Sequence, residues 1–265
     1  MRKLIASIMA LAAMVTVAQS HREVTLSEGW QFSRDSINWQ DVTVPHDWAI
    51  GGPFDKKWDL QVVAIKENGE DIATEKSGRS GALPWIGKGY YKTTFTVPQD
   101  YRRAQLVFDG AMADPHVYVN GREAGHWAYG YNDFIVDVTP FLNDNGLPNN
   151  LEVSLENLEE SNRWYPGGGI YRPVKLVMNR SIDVLDIWGL YVYTLSIEDE
   201  KATLRIEHQL GGEEVIDESM ELKITLADAA GRVVGDIKTR PDGIGHFTAL
   251  MDVYLPSLWS PEQTI

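Results

Sequence analysis

The chain has 265 residues, of which 43% are hydrophobic and 23% charged, and its formal net charge is −14. This balance is typical of a soluble globular protein and excludes a polytopic membrane protein or a generally disordered chain. The acidic excess disfavours the phosphate contacts on which nucleic-acid affinity depends, so we expect no nucleic-acid partner. With no cysteine, the chain can form neither a disulfide nor a thiolate metal site.

The first 20 residues predict export. Arg2 and Lys3 precede an apolar run at 4–18, and small residues at 18–20 offer a cleavage site, as in a secretory signal peptide. The run is shorter than the roughly 20 apolar residues that cross a bilayer. We therefore expect a signal peptide at residues 1–20, no membrane insertion, and a periplasmic or extracellular protein.

Short runs of alternating residues predict a β-sandwich over residues 21–180. Each run is bounded by Gly, Asn, Asp or Pro, and one side chain in two is apolar or aromatic, as in a strand that buries one face. The clearest runs are 90–97, 104–108, 116–120, 151–155 and 174–178. Asn120-Gly121 predicts a tight hairpin turn, because both residues tolerate positive φ. We expect little helix.

The charged segment 61–81 interrupts this rhythm. It contains Asn68-Gly69 and a Gly- and Ser-rich stretch at 77–81, which predict a long surface loop. Long loops in compact domains are usually either functional or disordered, and the sequence leaves both interpretations open.

A second series of strand-like runs predicts another sandwich over residues 181–265. Gly-rich or acidic turns separate the runs at intervals of about a dozen residues, which is typical of the immunoglobulin type. The runs begin near Ile182 and continue at 188–197, 202–209, 221–227 and 246–255. No strand follows 259–265, so we expect a C-terminally truncated domain.

The ionisable residues single out no reactive group. Hydrolysis by two carboxyl groups needs them about 5 to 9 Å apart, but most of the 38 acidic residues lie in turn-like runs where a solvated role is usual. The histidines show no metal-binding spacing, so we expect no metal site and no cofactor. They are His21, His46, His116, His126, His208 and His246.

Exposed aromatic rings could bind a sugar, because its C–H faces stack on Trp and Tyr. One cluster contains Trp127, Tyr129 and Tyr131. For Trp127 and Tyr129 we favour the alternative, that these rings fill the core.

A second cluster precedes Pro166 and three glycines, residues 167–169. The glycines lack the Lys-Ser/Thr of a phosphate loop and indicate a tight bend. Such a bend packs poorly in a core but holds the neighbouring side chains in exposed positions. We therefore predict a binding role for this cluster, which consists of Asn162, Arg163, Trp164 and Tyr165.

Six motifs together resemble the family 2 glycoside hydrolases, especially the β-galactosidases. In chain order they are LSEGWQF (26–32), VPHDWAIGGPFD (44–55), GYYKTTFTVP (89–98), VYVNG (117–121), FIVDVTPFL (134–142) and NRWYPGGGIYRPV (162–174). The resemblance implies a jelly-roll, galactose-binding-like domain and an immunoglobulin-like domain, followed in the family by a barrel that carries both catalytic glutamates.

The resemblance also implies roles for single residues. Asn162 matches a position where β-galactosidases can carry a substrate- and metal-binding Asp, and Trp85 lies in a segment similar to one that approaches the sugar. The sequence has no Asn-Glu pair, in which the family's acid/base lies. We therefore expect no catalytic residue here, and an isolated chain that is inactive.

Three interpretations of the whole protein remain open. The first is an exported hydrolase of terminal β-galactosides, whose partners would be a carbohydrate substrate, the barrel of its own chain and, at full length, further copies of itself. The second is a free-standing carbohydrate-binding or adhesion module. The third is a β-glucuronidase or β-mannosidase of the same family.

Overall fold

The structure, a computed structural model, describes residues 21–58, 60–63, 69, 71–72, 74–77, 84–157, 167–180, 184–185, 187–211, 219–242 and 245–258. The chain divides into two compact units, with the boundary between Arg180 and Ser181. The expected all-β class is confirmed, since the described ranges contain strands and short 3₁₀ turns. None of their helices has the length and hydropathy needed to cross a bilayer. The predicted signal peptide lies outside the described residues.

The first unit contains the strands β1 to β12. They are β1 (His21–Thr25), β2 (Trp30–Ser33), β3 (Gln40–Val42), β4 (Leu60–Val63), β5 (Thr74–Ser77), β6 (Lys88–Phe95), β7 (Arg103–Phe108), β8 (His116–Val119), β9 (Arg122–His126), β10 (Phe134–Asp137), β11 (Asn149–Glu156) and β12 (Val174–Asn179). The 3₁₀ turns are Lys56–Trp58, Thr139–Phe141 and Asp144–Gly146.

Ten of these strands form two antiparallel sheets of a sandwich. A four-stranded sheet has the order β1-β12-β7-β10, and a six-stranded sheet has the order β3-β2-β6-β11-β8-β9. Along β6 and β11 every second side chain is buried, as the period of a strand requires. The buried side chains of both sheets form one hydrophobic cluster, so the core lies between the sheets.

Aromatic residues fill much of this core. Phe108 of β7 lies opposite Phe134 of β10, and the two parallel rings stack with centroids 4.7 Å apart. In the other sheet, Phe32 of β2 contacts Tyr91 of β6 with ring centroids 4.9 Å apart. Both strand pairs are in register, so pairing of the backbone also brings the rings together.

The sequence predicted these strands well. Each of the five clearest runs lies on a strand, and Asn120 and Gly121 form the turn between β8 and β9 with φ of 52° and 76°. The loop expected at 61–81 is wrong in part, because β4 and β5 pair there as a separate ribbon. Val62, Val63 and Thr74 are β-branched and favour strands, although the segment as a whole is charged.

The second unit contains the strands β13 to β18. They are β13 (Val184–Leu185), β14 (Tyr191–Glu198), β15 (Lys201–Gly211), β16 (Leu222–Ala227), β17 (Val233–Thr239) and β18 (His246–Tyr254). The long strand β15 pairs with β13, β14 and β18, and β16 pairs with β17, which gives the sandwich-like sheets expected here. Residues 259–265, taken as the truncated end, lie outside the described residues.

The sequence missed β17, because Gly235-Asp236 weakens its strand pattern. The structure gives a reason for the glycine. A Cβ at Gly235 would lie 2.8 Å from the sulfur of Met251, a buried residue of β18. Glycine within a strand often marks such a close approach.

The stacked pair in the core gives a stability prediction. Phe108→Ala removes a fully buried ring and should lower the free energy of unfolding by about 3–5 kcal/mol. Urea unfolding monitored by tryptophan fluorescence measures the change. Ile37→Ala, at a residue that is 77% exposed, is the control and should change it by no more than about 0.5 kcal/mol. Equal midpoints for the two variants would contradict this assignment of the core.

Candidate functional site

Three glycines at 167–169, called the glycine bend below, follow the predicted binding cluster and Pro166 in the sequence. Asn162, Arg163, Trp164 and Tyr165 themselves lie outside the described residues, so their binding role stays a prediction. Asp47 Oδ1 accepts hydrogen bonds from the backbone N–H of Gly168 (3.0 Å) and of Ala49 (2.8 Å). The side chain of Asn157 donates to the carbonyl of Gly167 at 2.8 Å. Two side chains from other segments therefore hold the bend.

The bend needs glycine because other groups approach its backbone closely. A Cβ at Gly168 would lie 2.2 Å from the Trp48 ring, and one at Gly169 would lie 2.3 Å from the Tyr91 hydroxyl. Gly169 also has a φ of +109°, which L side chains rarely adopt. Residues 167–169 form no turn, and Gly169 instead pairs with Met112 in an isolated antiparallel bridge. Their interpretation as a tight bend is therefore not confirmed, although the requirement for glycine is. The indole N–H of Trp48 is buried and finds no acceptor among the described residues.

A neutral His–Tyr pair lies beneath the bend. The Nδ1 atom of His46 and the hydroxyl of Tyr91 are 2.6 Å apart, and the backbone N–H of His46 donates to the backbone carbonyl of Ile170. Burial lowers the pKa of His46, against the opposing charge of Asp47, and burial raises the pKa of Tyr91. Both shifts favour the uncharged forms, as expected when desolvation dominates.

Trp85 lies beside this layer. Its half-buried ring meets Trp48 edge-on with centroids 5.5 Å apart, and the guanidinium of Arg34 lies 4.7 Å from its centre. Its segment joins the bend through Asn157, whose N–H donates to the carbonyl of Gly87 at 3.0 Å. The structure therefore connects Trp85 with the bend that follows residues 162–165. A substrate contact for Trp85 stays a prediction.

The loop between β9 and β10 presents exposed aromatic rings. Trp127, Tyr129 and Tyr131 are 39%, 60% and 47% exposed, so the expectation that Trp127 and Tyr129 fill the core is wrong. The reason is that they follow β9 in a loop, while Phe134 of β10 occupies the core. Trp127 lies parallel to Phe134 with centroids 6.1 Å apart and covers it from outside.

Tyr171 connects this loop with the glycine bend. Its hydroxyl donates to the carbonyl of Gly130 at 2.8 Å, and Gly130 is buried against the side chain of Met112. Met112 in turn exchanges two backbone hydrogen bonds, both 2.9 Å, with Gly169. We call Trp127, Tyr129, Tyr131 and Tyr171 the aromatic rim. It follows that the rim lies beside the bend.

The hairpin of β8 and β9 assembles a group that the sequence analysis missed. His116 and His126 lie opposite each other, with stacked rings 4.2 Å apart. Asp114 Oδ1 is 2.6 Å from His126 Nε2, and Asp114 Oδ2 is 3.9 Å from His116 Nε2. Glu123 Oε1 is 2.8 Å from His116 Nδ1.

Histidines that are scattered in the sequence are therefore adjacent in space, and the expectation that no metal-ligating cluster forms does not hold for this hairpin. The predicted turn at 120–121 was the feature of the sequence from which this histidine pair could have been found. One histidine lies four residues before it and the other five after it, and the bulge between Val117 and Tyr118 absorbs the extra residue.

The close approach at Gly168 gives a second prediction. Gly168→Ala should destabilise the first unit by about 1–3 kcal/mol, because the added methyl group collides with the Trp48 ring. Gly51→Ala is the matched control, since a Cβ there meets nothing within 4 Å. Urea unfolding compares the variants, and a stable Gly168→Ala protein would show that the bend does not depend on this contact.

The lowered pKa of His46 gives a third prediction. The unfolded imidazole binds a proton more readily than the folded one, so its contribution to stability is complete above the unfolded pKa, about 6.5, and is lost as the pH falls toward the folded value. His46→Gln should therefore lose less stability than the wild type between about pH 7.5 and pH 5.5 in urea unfolding. His246→Gln, at an exposed histidine, is the control. Parallel losses in wild type and His46→Gln would refute a lowered pKa of His46.

Comparison with known proteins identifies similar chains. No family model matches the sequence. The β-galactosidase BoGH2A of Bacteroides ovatus is 35% identical over 247 residues, which are 88% of this chain and 26% of that protein. A putative β-glucuronidase of Formosa agariphila is 27% identical over 245 residues, 89% of this chain and 21% of that protein.

A solved structure of a glycosyl hydrolase family 2 member from Bacteroides cellulosilyticus has the same fold. It superposes with a TM-score of 0.70 and 23% identity over 90% of this chain and 31% of that one. The chain spans about a quarter of the length of the curated relatives that it matches. It is a homologue of the β-galactosidases and β-glucuronidases of glycoside hydrolase family 2 and corresponds to a fragment of these longer proteins.

Proposed function

We propose that this chain is the non-catalytic, sugar-contacting N-terminal part of an exported enzyme that hydrolyses terminal β-galactosides. The similarity to a β-galactosidase carries the proposal, since the match is 35% identical and extends over 88% of this chain but only 26% of the relative. The catalytic glutamates would lie on a barrel of the whole protein. The barrel and this chain would then meet around the substrate.

The aromatic rim supports sugar contact. Tyr129 and Tyr131 are exposed, and their rings lie 5.5 Å apart at an angle of 53°. Exposed rings can offer their apolar faces to the C–H groups of a sugar without any change in the packing of the core. Arg172 lies 5.4 Å from the Tyr171 ring and is itself exposed, so a hydrogen-bond donor for sugar hydroxyls lies beside the rim.

The glycine bend supports a role for the residues before it. Asp47 and Asn157 hydrogen-bond the backbone at 167–168, so the described residues that follow this cluster in the sequence are held in place. We propose that Asn162, Arg163, Trp164 and Tyr165 contact the substrate there, together with Trp85. Binding residues on a loop that a rigid scaffold positions are common in enzymes.

A β-glucuronide is the second candidate substrate, because one relative carries the name β-glucuronidase and is 27% identical over 89% of this chain. Glucuronate differs from galactose in the configuration at C4 and in its C6 carboxylate, for which an arginine is the favoured bidentate partner. The full-length protein, assayed with the p-nitrophenyl β-galactoside and the p-nitrophenyl β-glucuronide, decides between the two by the ratio of kcat/KM.

Arg163→Ala tests the proposed contacts in the full-length enzyme. Loss of a charged hydrogen bond costs about 1.5–3 kcal/mol of transition-state binding, which lowers kcat/KM about tenfold to 150-fold. Arg22→Ala, at an exposed arginine of β1, should leave kcat/KM unchanged. The proposal fails if the two variants behave alike, or if the isolated 265-residue chain hydrolyses the galactoside.

A further inference from the structure

The base of the β8–β9 hairpin carries a compact set of metal-ligating atoms. One ligand atom from each of Asp114, His116 and His126 lies within 4.8 Å of the other two. In a tetrahedral zinc site with bonds of about 2.0–2.1 Å, neighbouring ligand atoms are about 3.4 Å apart. The separations of the Asp114 oxygens from the histidines, 2.6 Å from Oδ1 to His126 Nε2 and 3.9 Å from Oδ2 to His116 Nε2, lie on either side of this value. The two imidazole rings are stacked at 24°, so these side chains must rotate before both lone pairs converge on one ion.

Glu123 orients one of the two imidazoles. Its carboxylate lies 2.8 Å from His116 Nδ1. A carboxylate can only accept, so this contact favours the tautomer with the proton on Nδ1 and leaves the Nε2 lone pair available for an ion. A carboxylate behind a ligating histidine is the usual arrangement in metal sites, because it fixes the tautomer and raises the basicity of the ligand. This contact is independent of the three-residue cluster itself.

The backbone of the hairpin holds the two histidines in place. His116 lies opposite Ser154 of β11 and opposite His126 of β9, so its strand is paired on both sides. The N–H of Trp127 donates to the carbonyl of Pro115 at 3.1 Å and closes the hairpin behind His126. Ligands on paired strands are positioned more accurately than ligands on loops.

We propose that Asp114, His116 and His126 bind one divalent first-row transition ion, Zn²⁺ in particular, with Glu123 as the positioning residue for His116. Two imidazoles and one carboxylate suit zinc, whereas Mg²⁺ and Ca²⁺ prefer oxygen ligands alone. The three side chains are 36–43% exposed, so the ion can enter from solvent and a water molecule can occupy its fourth position. The positive charge of the ion would also offset the two carboxylates.

Isothermal titration of the metal-free, untagged chain with ZnCl₂ tests the proposal. We expect one ion per chain, no comparable binding of MgCl₂, and loss of zinc binding in His116→Ala and His126→Ala. Glu123→Gln should keep the stoichiometry but weaken the affinity about 10- to 100-fold. His21→Ala and His246→Ala are matched controls that should bind as the wild type does.

A second measurement covers the case in which a histidine variant does not fold. Co²⁺ added to the wild-type chain should give the visible absorption of a tetrahedral nitrogen- and oxygen-ligated ion, and a stoichiometric amount of Zn²⁺ should remove it. Absence of zinc binding by the wild type, or unchanged binding by folded His116→Ala and His126→Ala, would overturn the proposal. Both results are independent of glycosidase activity.

Discussion

The close packing of the glycine bend against Trp48 and Asp47 is the contact on which the rest of the candidate site depends. Gly168 approaches the indole ring at a distance that no side chain would permit, and the Asp47 carboxylate binds its N–H. Met112 pairs with the neighbouring Gly169. A single bend therefore fixes segments that are more than 50 residues apart in the sequence.

In the first unit, the residues that support the candidate site differ from those that would contact a ligand. His46, Tyr91 and Asn157 are at least half-buried and satisfied by hydrogen bonds, which makes them a rigid layer. Tyr129 and Tyr131 of the aromatic rim lie outside that layer and are exposed. A surface built this way can bind a ligand without first ordering its own backbone, so little of the binding free energy is lost to conformational entropy.

The same short segments connect the rim with the histidine hairpin. His126 directly precedes Trp127, and Asp114 follows Met112 by two residues. An ion held by Asp114, His116 and His126 would therefore crosslink the base of the loop that carries the rim. Because the ligands come from both strands and from the segment before β8, the ion would restrain this loop independently of the core.

The sequence by itself determined the all-β class, the main strands of the first unit and the turn at 120–121, because alternation and turn chemistry are local properties. It did not determine which aromatic rings are exposed, since Trp127 and Phe134 differ in position relative to a strand and not in hydrophobicity. Nor did it reveal the histidine pair or the reason for Gly235 in β17. Those features depend on which residues a sheet register or a close approach brings together, and only the tertiary structure decides that.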